Sequence, residues 1–329
     1  MRWFARRLLF YAFAIWVALT INFLLPRLMP GDPIAGLLQH LNPSQLAANP
    51  GLIQTYQAML GGGDQSIWQD YVTYLGRIVH FDFGLSTSNY PTPVSEVIGR
   101  TLPYSIFLVG VAFLLAFIVG TAIGMVSAWR RGGVVDNVFV PAFMAVGAFP
   151  AFFTALLALY FLGLKAQWFP IQHAYDTGLT PGFNWAFLSS ALRHSELPIL
   201  VVVVAYAGAW VLNMRAVMIN TIGEDYVTMA HAKGLRDNRV MTRYAARNAI
   251  LPPLNGFAAL FASAVGGLVF IEYIFSYPGA GYTLQQAVLG NDYPLAQALL
   301  VVLSVCVIVA NLLMDILNFI LDPRLRTSS

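Results

Sequence analysis

The sequence predicts an all-α integral membrane protein with six transmembrane helices, and three observations carry that expectation. Only 10% of its 329 residues are charged while 58% are hydrophobic, with a mean hydropathy of +0.67; a soluble domain carries about 25% charged residues. Six charge-free apolar runs each approach the roughly 20 helical residues needed to cross a hydrocarbon core of about 30 Å. The basic residues, finally, segregate to one side of those runs, as cytoplasmic loops do.

The first run lies between Arg7 and Arg27. Arg6 and Arg7 precede it as they would precede a signal peptide. Its apolar stretch is longer than a signal core, however, and no small-residue cleavage site follows before Pro26, so the helix is expected to be retained. Residues 1–28 therefore read as an N-terminal transmembrane helix, and 29–100 as an external segment. A further charge-free run, from Asp32 to Asp64, contains Gln39, His40, Asn42, Pro43, Gln45, Asn49, Pro50 and the glycines Gly61–Gly63. Those residues would leave backbone groups unpaired in lipid, which excludes a span. Beyond it Trp68, Tyr71, Val72, Leu75 and Val79 recur at helical spacing and predict an amphipathic helix, interfacial or packed on the spans.

The second run lies between Arg100 and Arg130, where Gly120, Gly124, Ser127 and Ala128 permit close helix approach. The third, between Asp136 and Lys165, contains Pro141 and Pro150, each able to bend a helix. A second external loop, about 165–196, carries Trp168, His173, Trp185 and His194; the two histidines lack metal-ligand spacing. The fourth run lies between Glu196 and Arg215, with Asn213 near its inner end, and the fifth between Arg247 and Glu272. The sixth lies between Asp292 and Asp315. Here Asn311, Asp315, Asn318 and Asp322 recur every three or four residues and share one helix face. Polar groups inside spans fit either a translocation path or a seam with another chain. They also fit hydrogen bonds between helices near the inner surface.

With a cytoplasmic N-terminus, Arg27, Arg77, Arg100, Lys165 and Arg193 lie outside, and the other thirteen of the 18 basic residues lie inside. Six spans then leave both termini cytoplasmic. Residues 101–321 read as the membrane core and 322–329 as a cytoplasmic tail.

Several function classes are disfavoured. Cys306 is the one cysteine, inside an apolar run, short of a disulfide or a cysteine metal site. The histidines (His40, His80, His173, His194 and His231) fall outside the charge-free spans, and neither a His-Glu-x-x-His nor a Gly-x-Ser-x-Gly sequence occurs. No cofactor or metal is expected on this chain. No basic run with interleaved aromatics suggests nucleic acid. Neither lysine, Lys165 or Lys233, sits in a Gly-x-x-x-x-Gly-Lys-Ser/Thr phosphate loop, so active transport would need another polypeptide's ATP site.

The inner loop 216–249 is unlike a mere connection. Glu224 and Asp225 open a short helix, where the helix dipole favours acids. Gly234 can end it in a left-handed conformation. A second, basic helix with Arg239, Arg243 and Arg247 leads to Ile250-Leu251-Pro252-Pro253. The loop reads Asp225-Tyr226-Val227-Thr228-Met229-Ala230-His231-Ala232-Lys233-Gly234-Leu235, followed later by Arg247-Asn248-Ala249-Ile250-Leu251-Pro252. This resembles the coupling loop of binding-protein-dependent ABC importer permeases, in the version of the dipeptide and oligopeptide branch. It departs from the general family pattern in placing Thr228 and Met229 where Glu-Ala would stand, and in the later Ile250–Pro252. Further motifs agree in order along the chain. They are Pro30-Gly31-Asp32-Pro33, Asp82-Phe83-Gly84-Leu85-Ser86, Arg100-Thr101-Leu102-Pro103, Glu272 with Phe275-Ser276, Asp292-Tyr293-Pro294 and Leu321-Asp322-Pro323-Arg324.

The resemblance implies a type I ABC importer permease core (an ABC transmembrane type-1 domain) with span one as an N-terminal addition. It implies an inner-membrane subunit without its own nucleotide site, ATP and magnesium being bound by two partner ATPases. A second homologous permease and an extracytoplasmic solute-binding protein complete the set, with the lipid bilayer as the surrounding phase. The ATPase-contacting residues would be Glu224, Asp225, Tyr226, Thr228, Met229, Ala230, Ala232, Lys233, Gly234 and Leu235, with Tyr226, Met229 and Ala230 packing on the ATPase. Asn213, Asn311, Asp315 and Asn318 are candidates for the pore or the seam between permeases. The branch suggests di- or oligopeptides as cargo, with oligosaccharides or nickel as alternatives. A self-contained secondary transporter or channel is the contrasting class.

Overall fold

Four apolar helices long enough to cross a bilayer alternate with two bent helix pairs, and counting each pair as one crossing gives six. The computed structural model describes residues 2–28 and 66–321. The motif Pro30–Pro33, the glycines Gly61–Gly63, and the tail with Asp322 and Arg324 lie outside the described residues. In chain order the elements are α1 Arg2–Leu28, α2 Ile67–Val79, α3 Val94–Trp129, α4 Val135–Gly147 and α5 Ala151–Lys165. Then come α6 Trp185–Ile222, α7 Asp225–Ala232, α8 (237–249), α9 Leu251–Asn255, α10 Phe257–Ile274, α11 Ala280–Leu289 and α12 Tyr293–Leu321. Extended pairing among the described residues is limited to a single bridge, Leu85 to Pro93.

Two helices outrun their charge-free cores. The 36 residues of α3 and the 38 of α6 span about 54 and 57 Å at about 1.5 Å per residue, well beyond the hydrocarbon thickness. The surplus is polar. α3 opens six residues before Arg100, with Glu96 and Arg100 paired one turn apart. α6 opens at Trp185, capped by Asn184, whose side chain accepts from the Phe187 amide. The segment 185–196, expected as loop, is thus the first three turns of α6. His194, expected outside the helices, is carried inside it with Nδ1 2.9 Å from the Ser190 carbonyl.

The described residues divide into two compact units, one of 2–28, 66–105 and 278–309, the other of 106–277 and 310–321. In the first, Phe83, Val94, Ile98, Leu284, Leu295 and Leu299 form a buried core. Asp292, fully buried, caps α12 by accepting from the Leu295 amide at 3.2 Å. Its other oxygen accepts from the hydroxyls of Ser86 and Ser88 and from the Ser88 amide at 3.0 Å. Ser105 Oγ accepts from the Ala280 amide at 2.7 Å. Two sequence motifs far apart in the chain, around Asp82–Ser86 and Asp292–Pro294, therefore meet in one buried network. The helix α1 joins the same unit through a reciprocal amide pair. Asn22 Nδ2 donates to the Gln297 carbonyl at 2.9 Å, and Gln297 Nε2 donates to the Asn22 carbonyl at 3.2 Å. Such polar contacts hold helices together where lipid offers no hydrophobic drive.

The amphipathic helix α2 forms as predicted and packs on α1. Asp70 and Tyr74 are buried, and the rings of Tyr71 and Tyr74 pack edge-on and tilted against Phe23 of α1. Of the stripe expected to be interfacial or packed, Tyr71 faces α1 while Trp68, Val72 and Val79 are exposed. Tyr side chains win the inner face because their hydroxyls find partners there: Tyr71 with Thr20 at 2.7 Å and Tyr74 with Asn22 at 3.2 Å. The apolar stripe is left for the membrane interface.

In the second unit the glycine pair of α3 seats α6. A methyl group at Gly120 would lie 2.6 Å from the Ala207 carbonyl, and one at Gly124 would lie 2.5 Å from the Val211 carbonyl. That is backbone-to-backbone approach. Gly208, on another face of α6, meets the Phe143 carbonyl of α4, which would lie 2.9 Å from a methyl group there. Trp210 is fully buried among Phe113, Phe117 and Phe257.

Span three is broken rather than bent gently: the axes of α4 and α5 differ by 106°. The break falls at Pro150 (φ −56°, ψ 137°). Pro141 lies inside α4, directly after a π-helical turn at Val135–Phe139, and the helix continues through it. Span five turns by 58° between Leu251–Ala262 and Ala264–Ile274.

Candidate coupling surface and translocation face

The loop after α6 folds into a rigid knuckle. Glu224 takes the extended conformation that precedes a helix, and Asp225 opens α7 beside its free amides. Gly234 has φ +70°. Its amide bonds the His231 carbonyl at 2.8 Å, and the Leu235 amide bonds the Ala230 carbonyl at 3.4 Å. These two bonds, with Leu235 folded back toward Ala230 in one apolar cluster, make a Schellman ending. The left-handed turn permits this return, and Gly is the residue that adopts it without strain.

α8 then runs back toward the membrane through a π-helical turn at Val240–Ala245. Val227 and Ala230 of α7 and Val240, Ala245 and Ala249 of α8 bury against Ala128 of α3 and Met214 and Met218 of α6. The ring of His231 stacks on Trp129 at the end of α3, with centroids 5.7 Å apart. The knuckle is thereby packed into the helix bundle.

The expected contact residues separate into two groups. Glu224, Asp225, Tyr226, Thr228, Met229, Ala232 and Lys233 are exposed, Met229 at 59%. Ala230, at 2%, is turned into the chain's own core, and Leu235 packs against that core. The expectation that Ala230 supplies an outward contact is corrected: three-to-four-residue periodicity puts Val227 and Ala230 together on the buried face. Beside the exposed face, Tyr226, Arg239, Arg243, Tyr244, Arg247 and Asn248 line an open basic concavity.

The comparisons with known proteins bear on this arrangement. Residues 120–327 match the family described as the binding-protein-dependent transport system inner membrane component. The chain belongs to that family. Over 314 residues it is 34% identical to a Brucella suis biovar 1 protein to which a peptide-permease role is assigned, covering 95% of each chain. It is 32% identical to the permease protein of an oligopeptide transport system of Bacillus subtilis, over 93% of each chain. It is 30% identical to the permease protein of a dipeptide transport system of Lactococcus lactis subsp. cremoris, over 99% of each chain.

As a binding-protein-dependent inner membrane component, the chain is a multi-pass permease that works with ATPase subunits and a solute-binding protein. The polar groups flagged in its spans then take on a common property. Asn318 is buried, and its side-chain oxygen has no hydrogen-bond partner among the described residues. Asn311 and Asn213 are half-buried. Asn213 lies against Gly256 at the start of span five, its Nδ2 3.8 Å from where a methyl group there would sit. Asp315 is half-buried on the same face of α12 as Asn311 and Asn318.

Sequence reasoning passed over other groups in this permease. Asn22 and Gln297 are intramembrane amides that a count of polar residues in charge-free runs could have flagged. Asp136 and Arg215 were taken only as span ends, yet they pair side by side. The exposed break at Gly147–Pro150 had no signal beyond its proline.

Proposed function

We propose that this chain forms half of the translocation pore of an ATP-driven importer for di- or oligopeptides. The observation that carries the reading is the knuckle: a short helix, ended by a Schellman turn and fused to the inner end of α6, with Tyr226 and Met229 exposed on it. A loop that only joined two spans would not need a buried core of its own. The cargo class follows the names of the relatives, which speak of peptides, oligopeptides and dipeptides.

In this reading two ATPases sit on the cytoplasmic side, one under each of two related permeases. Both termini and the knuckle face the cytoplasm, in keeping with thirteen of the 18 basic residues falling on that side. The exposed residues Glu224, Asp225, Tyr226, Thr228, Met229, Ala232 and Lys233 enter a cleft of the ATPase, while Gly234, Ala230 and Leu235 hold the knuckle's shape. ATP-driven closure of the ATPases pushes the knuckle, and α6 carries that movement into the spans. A loaded binding protein and ATP both favour the outward-open state because both bind it better. Asn213, Asn311, Asp315 and Asn318 line the path or the seam. The chain itself performs no catalysis, and ATP and magnesium are bound by the partners.

The test is a gentle detergent pull-down of the chain from its native membrane, with associated polypeptides identified by mass spectrometry. Recovery of a phosphate-loop ATPase and a second, related permease is expected. Recovery of the chain alone, repeated after mild crosslinking, would overturn the reading in favour of a self-contained transporter. Competition of labelled tripeptide uptake by unlabelled peptide, oligosaccharide and nickel then decides the cargo.

A further inference from the structure

The break in span three falls midway between Asp136 and Lys165, the charges that bound its apolar run. α4 ends at Gly147 and α5 begins at Ala151. Between them the helical ladder stops. The Ala148 amide bonds the Met144 carbonyl and the Phe149 amide the Val146 carbonyl. Among the described residues no hydrogen bond reaches the carbonyls of Ala145, Gly147, Ala148 or Phe149. Residues 147–150 are all exposed.

Free carbonyls at this depth cannot face lipid, because hydrocarbon offers them no donor. Irregular backbone inside a membrane survives only when it is buried in protein or lines a water-filled cavity. Here it lines a concavity, walled by Phe143, Met144, Ala148 and Pro150 on one side and by Tyr206, Gly208 and Ala209 of α6 on the other. The Tyr206 side chain lines the same space, its hydroxyl lying 2.9 Å from where a methyl group at Gly267 of α10 would sit. Unmet backbone carbonyls thus open onto one mid-membrane space. The walls are otherwise small or apolar, so that space is wide and gives a polar solute little to adhere to.

We propose that the Gly147–Pro150 break, with Tyr206 and Gly208, is a wetted stretch of the translocation path. Its free carbonyls accept hydrogen bonds from the N–H groups and terminal ammonium of a passing peptide. Gly208 keeps the two walls in register, because a methyl group there would meet the Phe143 carbonyl at 2.9 Å. This rests on the reading of the chain as half of a peptide pore, and it adds which face is the lumen and what chemistry that face offers.

The test is water access. In the full complex in proteoliposomes, Cys306→Ala removes the one native thiol. Ala148→Cys and Ala209→Cys are then labelled with a membrane-impermeant, positively charged methanethiosulfonate, alongside Leu157→Cys and Ile118→Cys as dry controls. The thiolate attacks the reagent's thiol-transferring sulfur, forming a mixed disulfide and expelling methanesulfinate; because the thiolate forms in water and not in lipid, the two path positions should label roughly 10-fold faster or more. Labelling at Ala148→Cys should also block uptake of a labelled tripeptide. Labelling no faster than at the controls, in a complex that still transports, overturns the proposal and leaves the pore reading standing. Failure to recover ATPase or uptake before any cysteine is introduced would instead sink the pore reading itself.

Discussion

Arg215 grips Asp136 with two prongs: Nε donates to one carboxylate oxygen at 2.7 Å and Nη2 to the other at 3.2 Å. Asp136 stands at the start of span three and Arg215 near the inner end of span four, two turns before the knuckle. The carboxylate also accepts from the Gly132 amide at 3.1 Å. Its side chain is 10% exposed and that of Arg215 32%, so the pair is shielded from water more than a surface bridge. Two-pronged geometry fixes orientation as well as distance.

Removing one partner should therefore cost more than removing both. Arg215→Ala leaves a buried, unpaired carboxylate and is expected to destabilise the purified complex by about 3 kcal/mol. The double variant Asp136→Asn with Arg215→Gln should recover much of that loss. Thermal unfolding in detergent, read as tryptophan fluorescence, makes the comparison; equal losses in single and double variants would mean that the stranded carboxylate carries no penalty of its own.

At Gly234 the test separates conformation from crowding. A methyl group there would meet nothing within 4 Å, yet φ is +70°. Any loss on substitution therefore comes from the backbone alone. Gly234→Val should strain the turn by at least about 1–2 kcal/mol and uncouple ATP hydrolysis from uptake. Gly234→Asn, which tolerates the left-handed region, should retain coupling. Uptake and ATPase assays on both variants, with membrane insertion checked by immunoblot, suffice.

Tyr226 and Met229 are expected to act outward and Ala230 inward. Met229→Ala and Tyr226→Ala should each weaken recovery of the ATPase by roughly 10-fold, as loss of a contact worth about 1.4 kcal/mol would. The permease's own melting temperature should not move. Ala230→Leu should do the reverse first, lowering permease stability by about 1–3 kcal/mol through overpacking. A pull-down and a melting curve on each variant distinguish the two roles.

Close contact between α3 and α6 predicts a steep size dependence at Gly124. A methyl group there would lie 2.5 Å from the Val211 carbonyl and 2.9 Å from Met214 Cβ. Gly124→Ala is expected to cost about 1–3 kcal/mol and Gly124→Leu to prevent folding. Gly110→Ala, where nothing lies within 4 Å, should be tolerated. Yield of monodisperse protein in size-exclusion chromatography reports all three.

The number of apolar runs, the glycine face on α3, the knuckle and its turn at Gly234 were legible in the linear chain. Each rests on a local rule: length against bilayer thickness, periodicity, charge at a helix start, or the conformational freedom of glycine. The motifs around Asp82 and Asp292 were legible as patterns but not as one network, since more than 200 residues separate Ser86 from its carboxylate partner. Which face of α2 meets α1 was not legible, because the hydroxyl partners of Tyr71 and Tyr74 on α1 are invisible to periodicity. Ala230 was misplaced for a related reason: small residues carry no mark of which side they face. Composition and spacing by themselves determined that this is a six-run helical membrane protein with a structured inner loop, because lipid allows so few backbone solutions. Only the tertiary structure decided that Asp136 holds Arg215, that Pro150 rather than Pro141 breaks span three, and that the break opens onto Tyr206. Those outcomes depend on which distant groups come within hydrogen-bonding reach, and that is a property of packing rather than of any local stretch.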